Sequence, residues 1–475
     1  MTNSILFAGG EILPFAATGG LGDVLGSLPE AVKRRRRSMD VRAVMPLYSK
    51  VSAEWRKKMT FVKSITVKVA WRQEYCGIFS LKKGGVTYYF IDNEKYFSRP
   101  SLYGEFDDAE RFAFFSGAVL DLMSAVDFFP QVLHANDWQT APAVIMLKSN
   151  YSSDERYKAV KAIYTIHNVD YQGDFDMSIY DDVFGFDWKV RDKVDFYGRI
   201  NLTKGAVELA DFITTVSPNY ARQIQTPEYA HGLDGVLSAA SYKLDGIING
   251  IDYKLNDPES DPDIPKNFSS DDLSGKAECK AELQRRFGLE IRPDVPLIAM
   301  ISRLAGHKGF DLVMRVCDEM MQNDVQFVLL GTGEDQYEEF FRRFADRHQK
   351  RAGVSISYDR KLSKLIYAGA DMFLMPSKSE ACGLAQMIAS RYGTVPIVRE
   401  TGGLYDTIKP YGAGGNGFTF SAYNAHDMLY VIREAEGVYR DADKWHELML
   451  RAMSVDFSWG ASAKKYISMY DKIIK

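Results

Sequence analysis

Thr-Gly-Gly-Leu-x-Asp occurs twice in this chain, each time directly after a short apolar run that reads as a buried strand. Thr18-Gly19-Gly20-Leu21-Gly22-Asp23 follows residues 5–8, and Thr401-Gly402-Gly403-Leu404-Tyr405-Asp406 follows residues 395–398. Paired glycines at a strand-to-helix turn let the backbone approach a ligand closely. The first N–H groups of the following helix have no intrahelical partner and point at whatever lies beyond the strand end. Two such turns, one near each end of the chain, constrain the fold strongly. They call for two α/β domains, each with a parallel sheet, facing one another across a cleft.

The rest of the sequence alternates in the same sense. Short β-branched runs at 5–7, 41–45, 87–90, 132–134, 162–167 and 212–216 read as strands of a first domain. Runs at 297–302, 325–330, 372–375 and 396–398 read as strands of a second, with helical patterns between them. Ligands of such sheets bind beyond the carboxyl ends of the strands. The Asp-, Pro- and Ser-rich stretch 254–275 reads as a linker between an N-terminal domain (1–253) and a C-terminal one (276–455), with 456–475 as a closing helix. Lys33-Arg34-Arg35-Arg36-Arg37 stands where cations complement the carboxyl end of a helix.

Charge narrows the choice of partner. Lys plus Arg number 59 against 63 Asp plus Glu, a formal net charge of −4, whereas dedicated nucleic-acid binders carry a basic excess. No apolar run reaches the ~20 residues of a membrane helix. The N-terminus lacks a basic segment and cleavage pattern. Four scattered cysteines, Cys76, Cys279, Cys317 and Cys382, have no metal-ligand spacing and suit reduced thiols. The expectation is a cytoplasmic protein without a structural metal.

Several constellations at strand ends carry chemistry. Arg303 follows a strand and Lys308 comes one helical turn later, a fork and a point charge suited to phosphate oxygens. Glu380 follows Met375-Pro376-Ser377 and precedes Cys382-Gly383-Leu384, where a carboxylate can accept from sugar or ribose hydroxyls. His167 ends another strand in Thr165-Ile166-His167-Asn168. A dehydrogenase fingerprint fails, since Leu25 and Gln336 stand where its third glycine belongs. No Walker lysine and no zinc signature occurs.

Together these residues resemble the bacterial glycogen synthases and plant starch synthases. The resemblance runs almost end to end. It includes Glu11-Ile12-Leu13-Pro14-Phe15 with 18–23, 134–138, 165–168 with Tyr171-Gln172-Gly173, 210–218, 232–237 and 244–253. It continues through 302–309, 380–384, Tyr392-Gly393-Thr394, 401–407 and 456–459. The resemblance implies a GT-B fold, two facing Rossmann-like domains with a C-terminal helix that returns to the first. The activity implied is transfer of glucose from ADP-glucose to the 4-OH at the non-reducing end of an α-1,4-glucan such as glycogen, with retention of configuration.

Roles are implied residue by residue. Arg303 and Lys308 bind the diphosphate and stabilise the leaving ADP. Glu380 and the backbone of Cys382, Gly383 and Leu384 hold the glucose hydroxyls, Thr401 and Gly402 face the distal phosphate, and the Tyr358 ring stacks on adenine. In the other domain Gly20, Asp23, His167 and Asn249 meet the transferred glucose, and Tyr103 lies towards the acceptor. The implied partners are the nucleotide sugar and the glucan, with no metal and no cofactor. Two positions depart from the family pattern. Ala17 replaces the lysine before Thr18, and Ala381 replaces a proline. The missing lysine keeps two alternatives open: a weakly active glucan-binding paralogue, and the same transfer from another donor such as UDP-glucose.

Overall fold

The computed structural model describes residues 3–412 and 414–474. The chain divides into two compact units, Met1–Gly250 with Trp459–Lys475, and Ile251–Ser458. No helix among the described residues is long and apolar enough to cross a membrane.

The first unit is built on a nine-stranded sheet. Its strands are β1 (Ser4–Ala8), β2 (Asp40–Pro46), β3 (Thr60–Val69), β4 (Arg72–Lys83), β5 (Val86–Asp92), β6 (Val132–Asn136) and β7 (Lys161–Ile166), with β11 (Phe212–Thr215) and β12 (Leu244–Gly246). Three short strands, β8 (Asp174–Asp176), β9 (Asp195–Phe196) and β10 (Arg199–Asn201), form a separate small sheet. The order of the large sheet is β12-β11-β7-β6-β1-β2-β5-β4-β3, parallel throughout except where β4 pairs β3 and β5. Covered on both faces, its central strands are apolar runs; in β1 only Ser4 is not fully buried. Chain order reverses between β1 and β6, so the loops after these strands diverge and open a crevice at their carboxyl ends.

The second unit carries β13 (Leu297–Ile301), β14 (Gln326–Leu330), β15 (Ala352–Ser355), β16 (Met372–Met375), β17 (Val395–Arg399) and β18 (Phe418–Phe420) in the order β15-β14-β13-β16-β17-β18, all parallel. This is a doubly wound dinucleotide-fold order, with its switch point between β13 and β16. Side chains alternate along each strand. Ile298, Met300, Phe327 and Leu329 join one apolar layer under the helices Phe310–Met320, Asp335–Arg347 and Ala425–Tyr439. Leu297, Ala299, Val328 and Leu330 join the opposite layer, with Ser274–Arg286 and Arg360–Gly369.

One boundary differs from the sequence reading, and the return of the C-terminal helix to the first unit agrees with it. The stretch 254–275 is no free linker but part of the second unit. Ile264 and Phe268 are buried in its core, and the buried Asp261 carboxylate accepts from Tyr392 Oη. Helix Trp459–Ile474 belongs to the first unit. Ser462 Oγ donates to Ile248 O at 2.7 Å, Tyr470 Oη meets the buried His134 ring at Nδ1, 2.8 Å away, and Asp471 pairs with Arg36. His134 Nε2 meets Thr165 Oγ1 at 2.6 Å, and burial pushes the imidazole down to about 3. It is a neutral strut between sheet and terminal helix.

Candidate active site

At the switch point of the second unit the loops after β13, β16 and β17 interlock through backbone that only glycine can supply. Gly309 has φ 79° and Gly402 φ 43°, both in the left-handed region. A Cβ on Gly309 would overlap Pro376 O, and one on Gly402 would overlap Glu380 O. Gly403 N donates to Glu380 O at 3.2 Å and Lys378 N to His307 O at 2.8 Å. Arg399, buried at the end of β17, donates from Nη1 to Lys378 O at 2.8 Å.

This lattice sets Lys308 Nζ 2.6 Å from Glu380 Oε2, which Ser377 Oγ also reaches at 3.2 Å. The pair is largely shielded, with side-chain exposures of 18% and 12%. Arg303 lies exposed in the same loop, with no side-chain hydrogen bond or ion pair among the described residues. A free guanidinium beside a shielded ammonium at a sheet's carboxyl end is poised for phosphate oxygens. Thr401 and Cys382 are buried, and Gln386 Nε2 braces the 382–384 loop through Cys382 O at 3.1 Å and Gly383 O at 3.0 Å. Tyr358 is 93% exposed just beyond β15, an aromatic face offered to solvent.

In the first unit the loops after β1, β6 and β7 gather a second polar group. Asn136 Nδ2 donates to Ala8 O at 3.1 Å and to His134 O at 3.0 Å, which turns Oδ1 toward His167 Nε2, 2.9 Å away. His167 therefore carries its proton on Nε2 and keeps Nδ1 as an acceptor. Burial pushes its imidazole down to about 3, so the ring is neutral in the physiological range. Its backbone N–H donates to Asp137 Oδ1 at 2.7 Å. Asp137 has φ 57°, a strained backbone for a residue with a Cβ, and burial pushes its carboxyl up to about 7. Tyr103 Oη and Asn249 Oδ1 are buried without a hydrogen-bond partner among the described residues. Such groups are rare in folded proteins, and they suit contacts completed by a ligand. Gly20 and Asp23 stand exposed at the start of helix α1 (Gly20–Arg35).

Comparison with known proteins finds a match in each unit. Residues 4–239 match the starch synthase catalytic domain, and residues 282–447 match the glycosyl transferases group 1 domain. The glycogen synthase of Geobacillus thermodenitrificans is 47% identical over 476 residues, covering 99% of this chain and 98% of the relative. That of Clostridium beijerinckii is 46% identical, covering 99% of each. The chain belongs to the glycogen and starch synthase family. Among solved structures it resembles the catalytic domain of starch synthase IV from Arabidopsis thaliana bound to ADP and acarbose, with TM-score 0.90, 32% identity, and 100% and 99% of the two chains covered. Sucrose-phosphate synthase from Thermosynechococcus elongatus, at 15% identity and TM-score 0.61 over 99% of each chain, shares the fold.

As a family member the chain is a glycosyltransferase of GT-B fold. The structure places Arg303, Lys308, Tyr358, Glu380, Cys382, Gly383, Leu384, Thr401 and Gly402 in the second unit and Gly20, Asp23, Tyr103, His167 and Asn249 in the first. Of these, Lys308 and Glu380 touch directly. Sequence reasoning assigned no role to Asn136 and Asp137, which orient His167, or to Glu11, which holds the first glycine-rich turn. Their signal was a place in the motifs 11–15 and 134–138 that carry the resemblance, and position: each lies at or just beyond a strand's carboxyl end.

Proposed function

We propose that the chain is a glucan synthase that moves glucose from ADP-glucose to the 4-OH ending an α-1,4-glucan chain, with retention. The observation that carries this reading is the Lys308–Glu380 pair, 2.6 Å apart beside Arg303 at the switch point of the second sheet. One group of that pair suits a leaving diphosphate and the other suits sugar hydroxyls.

The chemistry balances without a further reactant. The bond from glucose C1 to the diphosphate oxygen breaks, and its electron pair leaves with ADP. The acceptor O4 bonds to C1 on the same face, and its proton passes to the departing phosphate oxygen. Negative charge grows on that oxygen in the transition state, where Arg303 and Lys308 oppose it, and preorganised cations act with greatest effect in a partly desolvated site. Glu380 is freed to accept from glucose hydroxyls as Lys308 turns to the phosphate. Neutral His167, with Nδ1 open, accepts from a further hydroxyl, and Tyr358 covers the adenine.

Ala17 supports a second reading, in which the donor carries another nucleotide. The purified protein is incubated with maltoheptaose and either ADP-glucose or UDP-glucose, and the product is followed by proton NMR. New α-anomeric signals of 1,4-linked glucose, formed faster from ADP-glucose, are expected. Faster growth from UDP-glucose would establish the second reading, and β-linked product would reject retention.

A further inference from the structure

Glu11 follows β1 and is 2% exposed. Its Oε2 accepts from Thr18 N at 2.6 Å and from Thr18 Oγ1 at 2.9 Å, and its Oε1 accepts from Gly22 N at 3.0 Å. Helix α1 starts immediately beyond, with Gly19 as N-cap and no side chain capping it. A carboxylate from another segment thus does what a Ser, Thr or Asp N-cap does locally, and its negative charge suits that helix end.

The arrangement is costly. Among the described residues no Lys, Arg or His pairs with Glu11, and buried carboxylates are ordinarily paired. Tyr48, Tyr103 and Asp137, which share its surroundings, supply no positive charge. Ala17 leaves the carboxylate without a cation on its own turn. It is also small enough to lie against Gly22, where a Cβ would overlap the Ala17 methyl and come within 3.6 Å of the Glu11 carboxyl carbon. The bonds to Thr18 and Gly22 leave a specific remainder. The N–H groups of Gly20 and Leu21 have no acceptor among the described residues.

We propose that Glu11 is a positioning residue, which clamps the 18–22 turn in one conformation so that the Gly20 and Leu21 N–H groups stand ready for an oxygen of the glycosyl phosphate. This rests on the nucleotide-sugar reading above. The clamp accounts for an unpaired buried carboxylate: its cost in stability is offset by a preorganised turn.

Glu11→Gln tests it. The amide keeps an oxygen acceptor but sets an NH2 against an N–H that the carboxylate accepted. Hydrogen exchange by mass spectrometry reads the turn, and steady-state kinetics and ADP titration read the site. Exchange in a peptide covering 16–23 should rise at least ~10-fold with the rest of the first unit unchanged. Turnover should fall ~10²-fold with KM within a few-fold, and ADP affinity should stay within about twofold. Glu11→Asp, whose shorter side chain cannot span Thr18 and Gly22 together, should behave likewise. Unchanged exchange at 16–23, or faster exchange spread through the first unit, would overturn the proposal. If the wild type itself moves no glucose from a nucleotide sugar, the reading above fails, while the exchange comparison still decides whether Glu11 holds the turn.

Discussion

Asp137→Asn should raise stability at alkaline pH and remove part of its pH dependence. The Asp137 carboxyl sits at about 7, up from an ordinary 3.8, because burial outweighs the N–H groups of His167 and Asn168, and Glu11 adds repulsion. The unfolded chain gives up this proton near pH 4, while the folded chain keeps it until about pH 7. The folded state is therefore unpenalised below pH 4, loses stability as pH rises through that window, and carries the full cost above it. Going from 3.8 to about 7 is a rise of about 3 pH units, or ~4 kcal/mol at 1.36 kcal/mol each, and relaxation around the charge reduces this to ~1–3 kcal/mol. Asparagine keeps an oxygen for the His167 N–H but carries no charge. His134 and His167, both pushed down to about 3, act in the opposite sense and cost stability as pH falls below 6.5. They are common to both proteins and cancel in the difference. Urea unfolding at pH 5, 6, 7 and 8 provides the measurement. The variant should gain ~1–3 kcal/mol over wild type between pH 5 and pH 8. A difference that stays flat with pH, or a variant less stable at pH 8, would refute the reasoning.

Arg303→Ala and Lys308→Ala should each lower turnover by ~10²–10³-fold with the fold intact by circular dichroism, since each removes one charge opposite the leaving phosphate. Near-normal turnover in either variant would remove that residue from the role. Ala17→Lys should tighten donor binding by at most ~1.5–3 kcal/mol, and the gain should shrink as salt rises from 50 to 500 mM in a titration with ADP-glucose. A lysine that pairs with Glu11 instead would leave donor affinity unchanged.

The central strands of both sheets were legible because burial on two faces writes them as apolar runs, and the paired Thr-Gly-Gly-Leu turns located the strand ends. The β3–β4 ribbon was not. Its outer half is exposed, with Lys63, Lys68 and Glu74 interrupting the apolar residues, so no clear period survives. β15 escaped as Ala-Gly-Val-Ser, four residues without a strong β signature. The stretch 254–275 misled because its Asp and Ser residues look like linker. They serve instead as turn acceptors: Asp257 and Asp261 receive the N–H groups two residues on, while Ile264 and Phe268 bury their side chains. At the site, Lys308 and Glu380 lie 72 residues apart in sequence, so the resemblance gave each a role and only the fold showed their contact. Glu11 and Asp137 gained meaning only through the backbone N–H groups that fold brings to them.

The most direct measurement is incorporation of labelled glucose from ADP-glucose into glycogen, with wild type and Lys308→Ala assayed side by side. The expected result is label in glycogen with wild type, reduced ~10²–10³-fold in the variant, while both bind glycogen equally. No incorporation by a folded wild type that binds both ADP and glycogen, or equal incorporation by the variant, would contradict a glucan synthase built on these cations.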